Sequence, residues 1–431
     1  MPSAGAVSTY VGGDMVSDLN AIFSTNAKGM KKSVIRELLK LTRRPEVISF
    51  AGGLPDPNAF PTDKVAEVVA DVLKRDGANA LQYSPTEGDP NLKDELIAHH
   101  EREDGIQLKP ENILITVASQ QGLDLTAKVF INIGDAVMVG LPTYVGGLGA
   151  FRSYGANMIG IPLDESGMRM DLLEEELEKL SCQGRKPKFI YVVPDFQNPA
   201  GITMTEERRL KLIELAHNYD VLIVEDSPYK ELRYEGEPQK SIFALDGTGH
   251  VIGLHTFSKI LFPGMRLGWM IGHEAVIQKM VIAKQATDLC TPAFTQAIVA
   301  EFAARGLLNE VIENVKKIYR EKREIMLDAL DKHMADIPGV SWTRPEGGLF
   351  LWLRLPESIE AEQLFYEAIE KDVAFVVGTA FYCDGGGKNA MRLNFSYPSK
   401  EHIVEGVKRL AKAIREHKPA LKSNSGIVIS P

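Results

Sequence analysis

One stretch near the middle of the chain organises the interpretation of the rest. It reads Thr256-Phe257-Ser258-Lys259-Ile260-Leu261-Phe262-Pro263-Gly264-Met265-Arg266-Leu267-Gly268. Short apolar runs at 251–254 and 267–271 flank it, and both are typical of buried strands. The stretch therefore predicts a short connection that carries a lysine, two hydroxyl groups and an arginine close to the end of a strand.

The chemistry of this connection favours one kind of ligand. Partial burial and the nearby positive charge of Arg266 lower the pKa of an amine such as Lys259, which can then form an imine with an aldehyde. Ser258 and Arg266 can hold a phosphate group. A ligand with both groups matches pyridoxal phosphate (PLP). Taken alone, the stretch is equally compatible with a surface loop that carries an ordinary solvated lysine.

Length and composition exclude several classes of protein. The chain has 431 residues, of which 44% are hydrophobic and 25% charged, as expected for a globular protein of two or three domains. Its net charge of −9 argues against a nucleic-acid surface. No apolar run is long enough to cross a membrane, and the N-terminus shows no apolar signal segment, so we expect a cytoplasmic protein. Its three cysteines have no metal-binding spacing, and no metal site is predicted.

Helical and strand patterns alternate between about residues 61 and 300. The strands are apolar without alternation, which predicts a mostly parallel sheet covered by helices on both faces. An amphipathic helix from about 308 to 333 then leads into a smaller α+β domain. We predict an N-terminal arm at 1–32, a first part of the small domain at 33–60, a large domain at 61–307, a bridging helix and C-terminal small domain at 308–417, and a tail at 418–431.

Polar side chains collect where the predicted strands end. Ser119, Tyr144, Asn198, Asp226 and Lys259 each follow or end such a strand. Because ligands of parallel sheets bind beyond the carboxyl ends of the strands, these residues are candidates for one site.

Most of these residues suit a part of PLP. A carboxylate such as Asp226 keeps a pyridine nitrogen protonated, which makes the ring an electron sink. The Asn198 amide and the Tyr229 phenol can hydrogen-bond a ring oxygen. Ser119 and Gln120 open a helix, whose N-terminus favours a phosphate. Each residue has an alternative role. Asp226 can be a solvent-exposed turn aspartate, Asn198 can favour the turn before Pro199, and Ser119 can simply cap its own helix.

Two further side chains suit the ring face and a substrate. Tyr144 can stack on the ring, although a core aromatic is the alternative. Arg392 can form a two-bond fork with a carboxylate, although a surface arginine on a strand is the alternative.

Together these motifs resemble those of PLP-dependent aminotransferases of the aspartate-aminotransferase fold (class I/II). The similarity runs from about residue 28 to 416, and the motifs that carry it are Pro194-Asp195-Phe196-Gln197-Asn198-Pro199-Ala200-Gly201, Val224-Glu225-Asp226-Ser227-Pro228-Tyr229, the stretch at 256–268 and Arg392. The marks of the 2-aminoadipate and kynurenine aminotransferase branch are Ile35-Arg36-Glu37-Leu38-Leu39, Ser49-Phe50-Ala51-Gly52-Gly53-Leu54-Pro55, Gln82-Tyr83-Ser84-Pro85-Thr86-Glu87-Gly88 and Ser119-Gln120-Gln121.

The resemblance implies a fold and a set of roles. The fold is the PLP-dependent transferase fold, with a mostly parallel seven-stranded sheet. Lys259 holds the cofactor covalently and later shuttles a proton, with Asp226 and Tyr144 as further catalytic residues. The implied cofactor-binding residues are Tyr83, Ser119, Gln120, Tyr144, Asn198, Asp226, Tyr229, Thr256, Ser258, Lys259 and Arg266. The implied substrate-binding residues are Gly53, Asn198 and Arg392.

The resemblance also implies partners. Tyr83 reaches the phosphate in the neighbouring subunit, so we expect a homodimer with shared sites. The substrates are an L-amino acid and a 2-oxo acid, 2-oxoglutarate as acceptor, in a ping-pong cycle.

The chain departs from the family pattern at two places. The loop motif begins Pro-Asp-Phe where a small or hydroxylated residue is common, and we expect little effect. An arginine that reads a distal carboxylate in lysine-pathway relatives aligns with Gly29 here. The nearby cations Lys28, Lys31 and Lys32 can substitute for it, whereas Phe23, Met30 and Leu54 leave room for an apolar or aromatic side chain. The donor therefore stays open among 2-aminoadipate, branched-chain and aromatic amino acids.

Two other functions share this fold. One is a PLP-dependent decarboxylase, racemase or carbon–sulfur lyase. The other is a PLP-sensing transcription regulator, which requires an added N-terminal DNA-binding domain. Only about 30 residues precede the first family motif, and the chain is acidic, so we do not expect a regulator.

Overall fold

The computed structural model describes residues 19–29 and 44–417. Predictions that concern 1–18, 30–43 and 418–431 lie outside the described residues. These are most of the arm, the family mark at 35–39, Met30, Lys31, Lys32 and the tail.

Fourteen helices are described. They are α1 Leu19–Ile22, α2 Thr25–Gly29, α3 Thr62–Ala80, α4 Pro90–Asp104, α5 Ala118–Phe130, α6 Val145–Ser153, α7 Met170–Cys182, α8 Glu206–Tyr219, α9 Ile242–Asp246, α10 Glu274–Gln285, α11 Ala293–Ala304, α12 Leu307–Met334, α13 Ala361–Glu370 and α14 Lys400–Glu416. Short 3₁₀ turns occur at Pro57–Ala59, Pro110–Asn112, Pro263–Met265 and Gly378–Phe381.

Several helices begin at residues suited to cap them. The side chains of Asp89, Thr205 and Ser399 accept backbone N–H groups in the first turns of α4, α8 and α14. Such caps satisfy donors that have no partner within the helix. None of the described helices is long and apolar enough to traverse a lipid bilayer.

Fourteen strands form three sheets within the described part of the chain. They are β1 Ile48–Ser49, β2 Ile113–Thr116, β3 Ala136–Leu141, β4 Asn157–Asp164, β5 Gly167–Met168, β6 Phe189–Val192, β7 Leu222–Asp226, β8 Val251–Thr256, β9 Gly268–Ile271, β10 Ser341–Trp342, β11 Phe350–Arg354, β12 Val373–Ala374, β13 Val376–Val377 and β14 Ala390–Asn394.

The large sheet has the order β2-β9-β8-β7-β6-β3-β4-β5. The neighbours from β8 to β4 are parallel, whereas β9 is antiparallel to both β8 and β2. The connection from β8 to β9 is too short for a parallel crossover, so the chain must reverse there. The prediction of a mostly parallel α/β sheet is confirmed. Seven strands, β2–β4 and β6–β9, form the expected sheet, and the two-residue β5 pairs antiparallel with β4 and adds an eighth at its edge.

Burial explains the apolar strands of this sheet. All residues of β2, β6 and β9 are buried, since helices cover both faces. Polar groups are therefore accommodated where the strands end, and this is where the candidate residues lie.

The remaining strands form a four-stranded antiparallel sheet, β10-β11-β14-β13, and a separate parallel pair of β1 and β12. The long helix expected at about 308–333 is α12, and it packs against α14. The pairing of β1 with β12 joins the segment near residue 48 to the C-terminal part of the chain. The division into domains at 60/61 and 307/308 stays a prediction.

Candidate active site

Lys259 follows the end of β8 and lies half-buried beneath the segment at 51–54. Its Nζ donates a hydrogen bond to the Gly53 carbonyl oxygen at 2.8 Å. Removal from water lowers the pKa of this amine to about 8, and the positive charges of Arg392 and Arg266 act in the same direction. The amine therefore loses its proton more readily than an ordinary lysine does.

Asp226 ends β7 and is only 1% exposed. Its Oδ2 accepts a hydrogen bond from the Tyr191 hydroxyl at 2.8 Å, while its buried Oδ1 has no hydrogen-bond partner among the described residues. Burial raises the pKa of this carboxyl to about 7, although the bond from Tyr191 opposes the rise. A buried acceptor without a partner is costly, so the site fits a ligand that brings an N–H donor, as a protonated pyridine ring does.

Asn198, Tyr229 and Arg392 form one buried network. The Asn198 Nδ2 donates to the Tyr229 hydroxyl at 3.2 Å, and Arg392 Nη1 donates to Asn198 Oδ1 at 2.9 Å. Arg392 Nη2 donates to the Ala51 carbonyl at 2.7 Å, and its guanidinium lies 4.2 Å from the centre of the Phe350 ring. Burial lowers the pKa of Arg392 to about 10. The structure thus brings Asn198 and Tyr229, which follow strands of the large sheet, into contact with Arg392 of the four-stranded sheet.

Gly53 lies at the centre of this arrangement. A Cβ atom there would stand 3.1 Å from the Phe350 ring and 4.0 Å from Arg392 Nη2. Since the Gly53 carbonyl also accepts from Lys259, this glycine separates the amine from the guanidinium and keeps the space between them open.

The predicted phosphate residues converge at one corner of the sheet. Gly268 of β9 lies between Thr116 of β2 and Thr256 of β8. A Cβ at Gly268 would stand 2.9 Å from the Ala118 backbone, so a larger residue would separate the two strand ends. The corner brings Ser119 and Gln120, in the first turn of α5, close to the connection at 257–267.

Hydroxyl groups and two uncommon backbone conformations shape this corner. Thr256 Oγ1 lies 3.0 Å from Ser258 Oγ and accepts the Ser258 backbone N–H at 3.2 Å. Ala118 and Arg266 have φ angles of 59° and 50°, a region that non-glycine residues rarely adopt. Such conformations are typical of ligand-binding segments. The Arg266 guanidinium donates to the Pro263 carbonyl and is exposed.

Tyr144 also faces this region. Its hydroxyl lies 3.4 Å from Gln120 Oε1, and Gln120 Nε2 donates to the Gly146 carbonyl at 3.1 Å. Burial and then the charge of Asp226 raise the pKa of Tyr144. Tyr83 is the predicted residue that does not join the group, since its side chain is 78% exposed. Its predicted contact requires a second subunit.

Sequence reasoning missed Tyr191, whose hydroxyl holds Asp226. The signal was a single tyrosine within the apolar strand β6, one strand away from β7. It also missed the role of Gln197, whose amide donates to Pro142 and accepts the Ala200 N–H, and so shapes the loop that carries Asn198.

Comparison with known proteins decides the family. The sequence profile described as "Aminotransferase class I and II" matches residues 46–410, which is most of the chain. The chain belongs to the class I and II aminotransferases.

Three relatives show how closely this aminotransferase matches characterised enzymes. It is 48% identical to aromatic-amino-acid aminotransferase 1 of Thermococcus litoralis, over 93% of this chain and 95% of that protein. It is 42% identical to 2-aminoadipate transaminase of Thermus thermophilus, over 91% of this chain and 96% of that protein. A kynurenine aminotransferase of Pyrococcus horikoshii, solved in complex with PMP, is 47% identical with a TM-score of 0.89, over 93% and 98% of the chains.

These findings confirm the predicted family, fold, transaminase activity and cofactor. The aminotransferase is PLP-dependent, and the feature of its site that fits this cofactor is Asp226 Oδ1, which has no hydrogen-bond partner within 19–29 and 44–417. Two proteins of Bacillus subtilis that are named HTH-type transcriptional regulators also match 89% of this chain, at 28% and 29% identity, whereas the relatives named above are 42–48% identical and are aminotransferases.

A buried ion pair supports the loop that carries Asn198. Arg209 is fully buried, donates to Asp195 Oδ1 at 2.8 Å and also donates to the Met204 and Lys240 carbonyls. Replacing Asp195 with alanine leaves this guanidinium without its counter-charge. We expect a loss of about 3–5 kcal/mol of stability, measured as a lower denaturation midpoint of the holoenzyme at fixed protein and PLP concentrations.

Two variants calibrate this prediction. Glu313→Ala breaks an exposed pair with Lys316 and should change stability by less than about 0.5 kcal/mol. The double variant Asp195→Ala/Arg209→Met removes both charges and should recover part of the loss. A midpoint for Asp195→Ala equal to that of Glu313→Ala would contradict the assignment.

Proposed function

We propose that this aminotransferase moves the α-amino group of an L-amino acid with an aromatic or apolar side chain to 2-oxoglutarate by a ping-pong mechanism. The observation that carries the proposal is that the Lys259 amine and the Arg392 guanidinium bond to the same short segment, Lys259 to the Gly53 carbonyl and Arg392 to the Ala51 carbonyl. An amine and a buried cation held by one three-residue segment suit the Cα and the α-carboxylate of one amino acid.

Each chain residue then has a defined task. Arg392 binds the α-carboxylate, with Gly53 and Asn198 beside it. Lys259 Nζ removes the Cα proton, since its lowered pKa leaves a larger neutral fraction than an ordinary lysine has. When bound, PLP supplies an electron sink for the charge that develops at Cα. Asp226 keeps the ring nitrogen protonated, and Asn198 and Tyr229 orient the ring oxygen.

The phosphate corner completes the cofactor site. We propose that Ser119, Gln120, Thr256, Ser258 and Arg266 bind the phosphate, because the strand ends that carry them meet at Gly268. Tyr144 contacts the cofactor ring from the side of α6. Tyr83 reaches the phosphate of a neighbouring subunit, so we propose a homodimer. The cytoplasmic location stays a prediction from the sequence.

A half-reaction tests the reaction class. Incubating the PLP form with one L-amino acid and no acceptor should give one equivalent of the 2-oxo acid and the pyridoxamine form of the cofactor. Added 2-oxoglutarate should then restore the PLP form. Release of carbon dioxide, the D-amino acid or ammonia would instead contradict an aminotransferase.

The side-chain preference rests on the segment that contains α2. This helix packs against α6, which begins directly after Tyr144. Phe23 and Leu54 are about half exposed, whereas Gly29 offers no side chain to pair with a distal carboxylate. Two of the relatives are named for aromatic amino acids and kynurenine, which supports an aromatic donor, and one is named for 2-aminoadipate. We therefore propose that aromatic and branched-chain donors are preferred to 2-aminoadipate.

Replacing Gly29 with arginine should shift this preference. A Cβ at this position meets no atom of residues 19–29 or 44–417 within 4 Å, so these residues leave room for the substitution. A new charge-assisted hydrogen bond contributes about 1.5–3 kcal/mol, and we expect kcat/KM for 2-aminoadipate to rise about tenfold or more. The measurement is kcat/KM for 2-aminoadipate, phenylalanine, kynurenine, leucine and valine with 2-oxoglutarate as acceptor.

The matched control is Gly29→Met, which adds bulk without charge. It should leave 2-aminoadipate activity low. Equal gains for the methionine and arginine variants would show that charge at this position does not select the substrate. A wild-type preference for 2-aminoadipate over every aromatic donor would overturn the proposed specificity, but not the reaction class.

Arg392→Ala should mainly weaken substrate binding. The variant loses the cation for the α-carboxylate, and we expect KM for both amino acid and oxo acid to rise by about two orders of magnitude. Steady-state kinetics with two donors of different side chain checks this, because the loss should be the same for both. Arg354→Ala, at an exposed arginine of the same sheet, is the control. An unchanged KM would remove Arg392 from the site.

A further inference from the structure

A second cluster of polar side chains lies at the opposite end of β8 from Lys259. His217 belongs to the last turn of α8, Asp246 ends α9, and His250 directly precedes β8. One donor atom from each residue lies within 4.8 Å of the others. Among residues 19–29 and 44–417, no other group of three histidine, cysteine or acidic residues has its possible metal-binding atoms this close together.

The loop at 246–250 holds the Asp246 carboxylate in one orientation. Asp246 Oδ2 accepts the backbone N–H groups of Thr248, Gly249 and His250 at 2.9–3.1 Å. This leaves Oδ1 directed at His217, whose Nε2 lies 2.7 Å away. The backbone thus presents a single carboxylate oxygen to the imidazole and orients it in advance.

The Thr248 hydroxyl lies between all three donor groups. Its Oγ1 is 2.7 Å from Asp246 Oδ1, 3.0 Å from His217 Nε2 and 2.9 Å from His250 Nδ1. A hydroxyl has one proton to donate, so it cannot bond all of these groups as a donor. Two imidazole nitrogens, one carboxylate oxygen and one neutral oxygen therefore face a common point.

We propose that this cluster binds a divalent transition-metal ion of the Zn²⁺ class. The ligands are His217 Nε2, Asp246 Oδ1 and His250 Nδ1, with the Thr248 hydroxyl or a water in the fourth position. Imidazole and carboxylate donors together suit Zn²⁺ and Co²⁺. Mg²⁺ prefers oxygen ligands, so the two imidazoles of this cluster make it a poor Mg²⁺ site. Tetrahedral ligands at about 2.1 Å from a metal lie roughly 3.4 Å apart, so small side-chain rotations complete the site.

The cluster is accessible and distant from the reaction. An open groove of about 430 Å³ borders it and is lined in part by Lys186, Asp220, Thr248 and His250. Since β8 runs its full length from His250 towards Lys259, a bound ion contacts neither substrate nor PLP. It instead connects α8, α9 and the start of β8, so it should stabilise the fold without changing turnover.

The experiment titrates holoenzyme, freed of excess PLP and treated with chelator, with Zn²⁺ in a calorimeter. We expect one equivalent per chain, a rise of several degrees in the thermal midpoint and unchanged kcat. Co²⁺ should give the visible absorbance of a tetrahedral site, and Mg²⁺ should give neither effect. His217→Gln and His250→Ala should each weaken Zn²⁺ binding at least tenfold, and His402→Ala, at another exposed histidine, should not.

His217→Gln keeps an amide N–H for Asp246, so this variant should fold even if His250→Ala does not. Circular dichroism and PLP absorbance verify the folded state of each variant. An absence of saturable Zn²⁺ binding to the wild type would overturn the proposal. Binding that is equally tight in His217→Gln would overturn it as well, because the ion would then bind elsewhere.

Discussion

Replacement of Lys259 by alanine is expected to abolish turnover and to remove the visible absorbance of the covalently bound cofactor. The structure gives the reason, because Lys259 is the amine that faces the Gly53 carbonyl and lies in the field of Arg392 and Arg266. Loss of a proton-transferring group alone costs about 10²–10⁴-fold, and loss of the covalent link adds to this. We expect kcat to fall by at least about 10⁴-fold.

The control for this variant replaces a lysine that has no role in the reaction. Lys279→Ala changes an exposed lysine on α10 and should retain full activity and absorbance. Spectra and steady-state rates of the two variants, both saturated with PLP, check the prediction. Full activity of Lys259→Ala would refute the assignment of the catalytic amine.

Asp226→Asn should have the second-largest effect. The amide has nearly the same shape as the carboxylate but no charge, so it cannot keep the pyridine nitrogen protonated. Removing such a preorganised electrostatic contact typically costs about 10²–10³-fold in kcat. KM should change little, because Asp226 does not contact the α-carboxylate in the proposed arrangement.

Tyr191→Phe provides a graded test of the same group. It removes the hydrogen bond to Asp226 Oδ2, which opposes the rise in the pKa of this carboxyl. The acid limb of the kcat profile should therefore move to higher pH, with a loss of about tenfold in kcat. Asp328→Asn, at an exposed aspartate of α12, is the control. A profile for Tyr191→Phe identical to that of the wild type would show that the phenol does not position Asp226.

The candidate site could largely be predicted because of how parallel sheets are built. Asp226, Asn198 and Lys259 each come at the end of an apolar strand, and the carboxyl ends of adjacent parallel strands meet at one edge. The structure places these residues as expected, and their roles stay predictions until the variants are measured. The sequence offered Arg392 as a candidate, but not its contact with Asn198, because Arg392 comes from the separate antiparallel sheet.

Other features depended on contacts that no local pattern encodes. The eighth strand, β5, has two residues and depends on its pairing with β4, so its periodicity carries no signal. The bond between Tyr191 and Asp226 joins neighbouring strands, and that between Lys259 and Gly53 joins residues 206 positions apart. The Pro-Asp-Phe start of the loop motif predicts little effect, yet its Asp195 forms a buried ion pair with Arg209 of the following helix, α8.

By itself, the sequence determined the α/β class, the strand ends that carry polar side chains and the choice of Lys259 as the candidate for the catalytic amine. The periodicity and order of apolar residues along the chain carry this information. Strands buried on both faces must be apolar, so polar side chains occur where the strands end. Only the tertiary structure decided which acceptors lack partners, as for Asp226 Oδ1, and which distant groups converge, as for His217, Asp246 and His250. Both depend on distances across the fold, which side-chain packing sets and sequence spacing does not.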